Sequence, residues 1–118
     1  MISSGTSKGR VGEQLASKYL SSAGFKIIDK NFHSSFGELD IIATKCNTIY
    51  FCEVKTRWGL RYGYPEESVN IKKLNKIKKT IDYYLYKKMM RNQKIKIIVI
   101  SQLIQNRKLI YQKIIELS

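Results

Sequence analysis

Two short apolar segments separated by a polar turn constrain this chain most, because they predict a β-hairpin. Ile41-Ile42-Ala43 and residues 49–52 are rich in branched and aromatic side chains, and residues 45–48 between them are polar. A hairpin that folds symmetrically about the Cys46-Asn47 bond pairs residues whose numbers have the same sum. The sequence therefore predicts both an antiparallel hairpin and its register.

The predicted hairpin carries three carboxylates and one amine just before its first apolar segment and just after its second. The register places Asp40 opposite Glu53 and Glu38 opposite Lys55, and side-chain alternation puts all four on one face. Directly opposed side chains have Cβ atoms about 4.5–5.5 Å apart, and like charges there destabilise the pair. A divalent cation would remove that repulsion, and Mg²⁺ prefers carboxylate oxygens. The pattern therefore predicts a metal site with Asp40 and Glu53 as ligands.

A solvent-exposed hairpin face is the alternative interpretation of the same residues. Most strand carboxylates are surface charge, and Glu38 with Lys55 would then be a cross-strand ion pair of little energetic weight. However, the chain has only nine Asp and Glu residues, and three of them fall at one end of this hairpin. This concentration in a chain that is short of negative charge favours the metal site.

Length and charge restrict the class of protein. The 118 residues predict a single domain spanning 1–118, and a hydrophobic content of 43% argues against disorder. The formal net charge of +13 favours nucleic acid, a polyanion, as the partner. No apolar run reaches the roughly 18–20 residues of a spanning helix, and no signal-peptide pattern is present. We therefore expect no membrane association and a cytoplasmic location, with reduced thiols at Cys46 and Cys52.

Helical and extended patterns alternate in the first third of the chain. A helix is expected from Ser7 to about Ala23, a strand over residues 25–28, and a polar connection over residues 31–36. Glu13 lies at the margin of the apolar face of that helix, so its carboxylate is expected to lean over the sheet. An ordinary ion pair with Arg10 or a nearby lysine is the alternative for Glu13.

The second half of the chain predicts a long helix and at least one strand. Glu66-Glu67-Ser68 is expected to open a helix that continues to about Met90, since acids favour the N-terminal end of the helix dipole. Residues 95–100 predict a strand, and residues 109–117 fit either a strand or a helix. The order of elements is that of an α/β protein.

The positions that carry a family resemblance are Gly12-Glu13, Ala16, Tyr19-Leu20, Gly24, Asn31, Gly37 to Ala43, Phe51, Glu53 to Arg57, Gly63, Pro65, Glu67, Val69 and Lys73. Together they resemble the YraN family of bacterial proteins, whose function is uncharacterised. The motifs GE-x-D and EVKTR at this separation are the most specific part of the resemblance. The resemblance implies a restriction-endonuclease-like fold of the PD-(D/E)xK type, a central mixed β-sheet flanked by helices, similar to archaeal Holliday junction resolvases.

The resemblance also implies roles for individual residues. Asp40 matches the first acid of the superfamily motif, and Glu53 and Lys55 match its (D/E)xK element. Glu13 matches the helical acid of many members. Glu38 matches the GE of the family and is expected to be a supplementary metal ligand or to support the ligands. The implied protein is a Mg²⁺- or Mn²⁺-dependent endonuclease that hydrolyses phosphodiester bonds of DNA, with branched or junction DNA as a candidate substrate.

Basic residues close to the catalytic strand are expected to bind the phosphates of the nucleic acid; they are Arg57, Arg61, Lys72, Lys73 and Lys76. The aromatic residues interleaved with them are expected to stack on unpaired or distorted bases; they are Trp58, Tyr62 and Tyr64. For the aromatic loop, packing on the core is the alternative. For the lysines, a solvated helix face is the alternative.

Two other functions fit the same composition. The first is a non-catalytic nucleic-acid-binding protein in which the acidic cluster is vestigial or holds a structural metal ion. The second is a basic ribosome-associated module, which much tighter binding of RNA than of DNA would favour. A homodimer is also expected from the resemblance, with Ile110, Ile114 and Ile115 as candidate interface residues.

Overall fold

The computed structural model describes residues 7–61 and 70–117. Its elements are α1 (Ser7–Ser22), β1 (Lys26–Ser34), β2 (Gly37–Lys45), β3 (Thr48–Trp58), α2 (Ile71–Lys87), β4 (Lys94–Gln105) and β5 (Lys108–Glu116). The strands form one sheet in the order β1-β2-β3-β4-β5, in which only β3 and β4 are parallel. A parallel pair needs a crossover connection, and α2 lies within it. This mixed sheet flanked by two helices confirms the predicted α/β class and is compatible with a restriction-endonuclease-like fold.

The two helices pack on opposite faces of the sheet. The residues that form the α1 layer include Ala16, Leu20, Ile41, Cys52, Ile98 and Ile100. The residues that form the α2 layer include Leu39, Ile42, Phe51, Ile77, Ile81 and Tyr84. Burial of these side chains from both faces of the sheet supplies the main favourable free energy of folding. Within the part of the chain that the structure describes, neither helix has the length and apolar character needed to cross a membrane.

The hairpin of β2 and β3 has the predicted register. Pairing runs from Lys45↔Thr48 to Ile41↔Cys52, so each pair has the same sum. Between the strands Cys46 and Asn47 have φ values of 50° and 60°. Two consecutive left-handed residues form the tight turn whose twist matches that of the flanking strands.

The first strand is longer than predicted, and the prediction of a polar connection over residues 31–36 is wrong. β1 continues to Ser34, because Phe32 pairs with Leu39 and His33 pairs with Glu38 of β2. The Phe32 ring also packs edge to face on Tyr84 of α2, with centroids 4.9 Å apart. Pairing and aromatic packing together extend a segment whose sequence is too polar to predict a strand.

The second helix begins later than predicted. Asn70 is its N-cap, and the Asn70 side chain accepts a hydrogen bond from the Lys73 backbone N–H at 3.0 Å. The expected opening residues 66–68 lie outside the described residues. The helix ends at Lys87, before the predicted end near Met90, and Met89 has a left-handed φ of 56°.

The last two strands form a second hairpin. β4 is longer than the predicted strand because it pairs with β3 on one side and with β5 on the other. Asn106 and Arg107, with φ values of 52° and 62°, form its two-residue turn. Residues 108–116 are therefore a strand, which settles the ambiguity between strand and helix.

Candidate active site

The regular pairing of β2 with β3 ends next to Asp40. The register is continuous as far as Ile41↔Cys52, and beyond it the Asp40 carboxylate accepts a hydrogen bond from the Val54 backbone N–H at 2.8 Å. Leu39 packs in the α2 layer and Ile41 in the α1 layer, although residues two apart in a regular strand share a face. The alternation of β2 is therefore interrupted at Asp40, and the Asp40 carboxylate reaches the backbone of β3.

Asp40 and Glu53 form a pair of carboxyl groups, as the register predicts. The two side chains are hydrogen-bonded to each other, and Glu53 is buried. Burial first, and the negative charge of Glu53 second, raise the pKa of Asp40 from 3.8 to about 8, while the Val54 N–H opposes the shift. The metal-free pair therefore retains a proton at neutral pH. A bound cation would take the place of that proton.

Two lysines contact the Glu53 carboxylate. Lys55 Nζ lies 3.3 Å from Glu53 Oε1, and Lys73 Nζ of α2 lies 3.5 Å from the same oxygen. The alternative interpretation of Glu38 and Lys55 as an ion pair is wrong, because Glu38 Oε1 lies 3.0 Å from His33 Nδ1 instead. Because the alternation of β2 is interrupted at Asp40, the register that pairs Ile41 with Cys52 does not continue to Glu38 and Lys55.

Glu13 approaches the same region from α1. Its carboxylate is hydrogen-bonded to the side chain of Asn31, which lies across from Asp40 because the residues that flank each of them are paired. Burial raises the pKa of Glu13, and the Asn31 hydrogen bond and the Lys30 charge oppose that shift. The Glu13 charge in turn contributes to the raised pKa of Asp40. The structure thus places Glu13 near the carboxyl pair, and its catalytic role stays a prediction.

A buried glutamine fixes α1 against β3, and sequence reasoning missed it. Gln102 of β4 is fully buried, and its Nε2 donates to the Gly12 carbonyl at 3.0 Å and to Thr56 Oγ1 at 2.9 Å. Gly12 leaves no room for a larger residue, because a Cβ there would lie 2.7 Å from Thr56 Oγ1. Since Gly12 precedes Glu13 and Thr56 follows Lys55, these contacts hold the two candidate catalytic segments together.

A second glutamine extends this network to the edge strand. Gln112 Nε2 of β5 donates to Gln102 Oε1 at 2.7 Å and to the Leu15 carbonyl at 3.2 Å. Leu15 lies 97 positions from Gln112, and Gly12 and Thr56 lie 90 and 46 positions from Gln102, so no local pattern predicts these contacts. The only signal in the sequence is a glutamine within the apolar run of β4. A strand of this kind is buried on both faces of the sheet, so a polar side chain in it needs hydrogen-bond partners.

The donor set fits a small hard cation with few protein ligands. Among residues 7–61 and 70–117, no three His, Cys, Asp or Glu side chains converge in a way that could hold a metal ion. Mg²⁺ is commonly held by one or two carboxylates, with water and substrate phosphates as its other ligands. The Asp40 and Glu53 pair meets that requirement, whereas the role of Glu38 as a ligand stays a prediction.

The predicted phosphate-binding residues lie at different distances from this pair. Lys73 is part of the site through its contact with Glu53, and Arg57 shares a face of β3 with Glu53 and Lys55. Arg57 Nε is buried and has no hydrogen-bond partner among the described residues. Lys72 and Lys76 are exposed on α2, and Arg61 is exposed after β3.

The predicted stacking residues are described only in part. Trp58 is partly exposed at the end of β3, and Lys8 Nζ lies 5.4 Å from the centroid of its ring. Tyr62 and Tyr64 lie outside the described residues. Their role in stacking stays a prediction.

Comparison with known proteins finds a matching family model and similar proteins. Residues 12–100 match the family model described as "Uncharacterised protein family UPF0102". A UPF0102 protein of Persephonella marina is 44% identical over 94 residues, which are 80% of this chain and 81% of that protein. A UPF0102 protein of Dictyoglomus turgidum is 43% identical over 93 residues, which are 79% of each chain. A UPF0102 protein of Clostridium botulinum is 46% identical over 85 residues, which are 72% of this chain and 69% of that protein.

Proposed function

The chain belongs to the uncharacterised protein family UPF0102, the YraN family, and for this member we propose a metal-dependent nuclease that hydrolyses phosphodiester bonds of DNA. One observation carries the proposal: the hydrogen-bonded carboxyl pair of Asp40 and Glu53, held partly buried beside two lysines. Two buried carboxyl groups this close to each other do not both ionise readily without a positive charge beside them, so the pair points to a cation. In a chain with a net charge of +13, nucleic acid is the substrate that the charge favours.

Asp40 and Glu53 are the residues that would hold Mg²⁺ or Mn²⁺. When bound, the cation supplies a Lewis acid beside the scissile phosphate. The Val54 N–H fixes the Asp40 carboxylate against β3, so the carboxylate is oriented before any ligand arrives. This preorganisation lowers the entropic cost of assembling the site.

Lys55 is positioned to act on the phosphate and on the attacking water. Its ammonium group lies 3.3 Å from Glu53 Oε1, on the side of β3 that also carries Arg57. From there it can donate a hydrogen bond to the water, or to a phosphate oxygen whose negative charge grows in the transition state. Glu13, with a pKa raised by burial, would accept a hydrogen bond from the same water.

Lys73 and Arg57 would hold the substrate phosphates. Lys73 reaches Glu53 from the first turn of α2, where the helix N-terminus also favours negative charge. The Arg57 Nε without a partner is a charged donor suited to a phosphate oxygen. Both residues therefore complement the anionic substrate at the edge of the carboxyl pair.

A non-catalytic nucleic-acid-binding protein is the second candidate function. It is favoured by the two lysines on Glu53, which already offset part of the negative charge without a cation. It is also consistent with a carboxyl pair that no third Asp, Glu, His or Cys side chain of the described residues completes. Both candidate functions predict binding of nucleic acid, and only the nuclease predicts its cleavage.

A cleavage assay separates the two candidates. We would incubate the protein with Mg²⁺ or Mn²⁺ and labelled duplex, single-stranded, flap and junction DNA, with RNA in parallel. Asp40→Asn is the test variant, because Asn keeps an acceptor for the Val54 N–H and removes the charge. Asp82→Asn on the exposed side of α2 is the matched control.

We expect cleavage by the parent and by Asp82→Asn, and a loss of at least about 100-fold in Asp40→Asn. Equal cleavage by the parent and Asp40→Asn would contradict the assignment of the site. Tight binding by the parent without cleavage of any substrate would support the non-catalytic candidate instead.

A further inference from the structure

The β1–β2 turn holds a phenylalanine on the surface beside α2. The ring of Phe36 is 48% exposed, its backbone N–H donates to Ser34 Oγ at 3.1 Å, and Ser34 Oγ donates to the Gly37 carbonyl at 3.2 Å. Gly37 has a φ of 150°, and a Cβ there would lie 3.0 Å from Thr80 Oγ1. The glycine therefore lets the turn close onto α2. The Phe36 ring reaches Tyr83 with centroids 5.6 Å apart and planes inclined at 54°.

This aromatic pair lies at the margin of the α2 layer, where the Tyr83 ring also packs on Phe32 with centroids 6.1 Å apart. Among the described residues, neither hydrophobic cluster includes Phe36 or Tyr83, whereas the adjacent Tyr84 is buried. Lys87 Nζ lies 5.9 Å from the centroid of the Tyr83 ring, and Tyr86 is exposed on the next turn of the helix. Phe36 is thus about half exposed at the surface, beside a half-buried tyrosine and a lysine, and the hydrogen bonds of its turn fix its backbone.

Phe36 and Tyr83 lie a short distance along the chain from residues of the carboxyl site, Phe36 from Asp40 and Tyr83 from Lys73. Phe36 lies in the turn before β2 and precedes Asp40 by four positions, which corresponds to at most about 13 Å of extended chain. Tyr83 follows Lys73 by ten residues of α2, which corresponds to about 15 Å. The exposed amines of Lys76 and Lys79 lie on the helix between them. A nucleic-acid strand of a few nucleotides covers this distance.

We propose that Phe36 and Tyr83 form a stacking site for an unpaired base, a few nucleotides from the phosphate bound at Asp40 and Glu53. The inference rests on the proposed function for the position of that phosphate, and it names the substrate class as nucleic acid with an unpaired strand. Bases in a duplex are already stacked on their neighbours, so a side chain cannot cover their faces without opening the helix. The lysines of α2 supply the phosphate contacts that such a strand requires.

Binding in EDTA tests the stacking site without any contribution from cleavage. The probes are a labelled oligothymidylate and a labelled duplex of the same length. Phe36→Leu and Tyr83→Leu keep an apolar side chain and remove the flat aromatic ring. Leu109→Ala is the control, because Leu109 is an exposed apolar residue on β5, at the opposite edge of the sheet.

Each leucine variant should bind oligothymidylate about 5- to 100-fold more weakly and bind duplex as the parent does. The salt dependence of binding should not change, since the substitutions leave every phosphate-binding side chain in place. If Tyr83→Leu does not fold, Phe36→Trp supplies a second measurement, in which oligothymidylate should quench the added indole fluorescence.

Parental affinity of Phe36→Leu for oligothymidylate would overturn the proposal, and so would an equal loss for duplex and single strand. These outcomes are distinct from a failure of the proposed nuclease function. A protein that cleaves DNA but shows no effect of Phe36→Leu on binding would lack the stacking site and remain a nuclease. A protein that never cleaves but loses single-strand affinity in Phe36→Leu would possess the stacking site without the activity.

Discussion

The substitution Asp40→Asn should flatten the pH dependence of the free energy of unfolding of the metal-free protein. Burial and the Glu53 charge raise the pKa of Asp40 in the folded protein to about 8, against an ordinary value of 3.8. Between these two values the folded protein binds a proton that the unfolded chain has released. The free energy of unfolding therefore falls as the pH rises through this range, and the loss is complete above the folded pKa.

The slope fixes the size of the effect. One proton corresponds to about 1.4 kcal/mol per pH unit. Because only the folded protein keeps the Asp40 proton in this range, its free energy of unfolding falls by about 2–3 kcal/mol between about pH 5 and about pH 7. Asn carries no ionisable group, and its side-chain oxygen still accepts the Val54 N–H. The Asp40→Asn variant should therefore lack this decrease and exceed the parent in stability at neutral pH.

Urea unfolding followed by circular dichroism in EDTA, at a series of pH values, measures the effect. Asp82→Asn, which removes an exposed carboxylate outside the site, is the matched control. Adding Mg²⁺ at neutral pH should stabilise the parent and leave Asp40→Asn unchanged, since a ligand that binds only the folded state raises its stability. Parallel curves for the parent and Asp40→Asn would refute the claim that Asp40 is destabilised by burial and by Glu53.

Four further predictions test separate parts of the site. Lys55→Ala should leave the affinity for DNA nearly intact and remove cleavage, and single-turnover assays that show parental rates would exclude Lys55 from the chemistry. Lys72→Ala combined with Lys76→Ala should reduce the log–log salt slope of duplex binding by about 0.9 for each phosphate that the variant no longer neutralises; an unchanged slope would place the binding surface elsewhere. Gln102→Leu removes the side-chain donor to the Gly12 carbonyl and to Thr56 Oγ1 and the acceptor of Gln112 Nε2, so urea unfolding should show a loss of about 2–3 kcal/mol, and parental stability would argue against the network. The predicted homodimer through Ile110 and its neighbours should give twice the chain mass in light scattering, and a monomer mass would contradict it.

Local patterns in the sequence predicted the hairpin and most of the carboxyl site. The alternation of apolar residues and the Cys46-Asn47 turn define a register that is observed as far as Ile41↔Cys52, and its extension by one residue predicts Asp40 beside Glu53. These features depend on residues that are close in the chain. The same is true of α1, whose predicted span differs from the observed one by a single residue at its end.

Contacts between separate elements were decided only by the tertiary structure. Leu39 and Ile41 pack into opposite layers, and the resulting interruption of β2 turns the predicted Glu38 and Lys55 pair into two other contacts. Lys73 reaches Glu53 because α2 crosses over the sheet, which no local pattern specifies.

The same reason applies to the residues that sequence reasoning missed. Gln102 bonds to groups that lie 90 and 46 positions away in the chain, and Phe36 reaches Tyr83 only because Gly37 lets the turn approach Thr80. Periodicity encodes which face of an element is buried. Which partners meet across the core depends on how elements of different lengths pack together, because close packing selects one arrangement from many that the pattern allows.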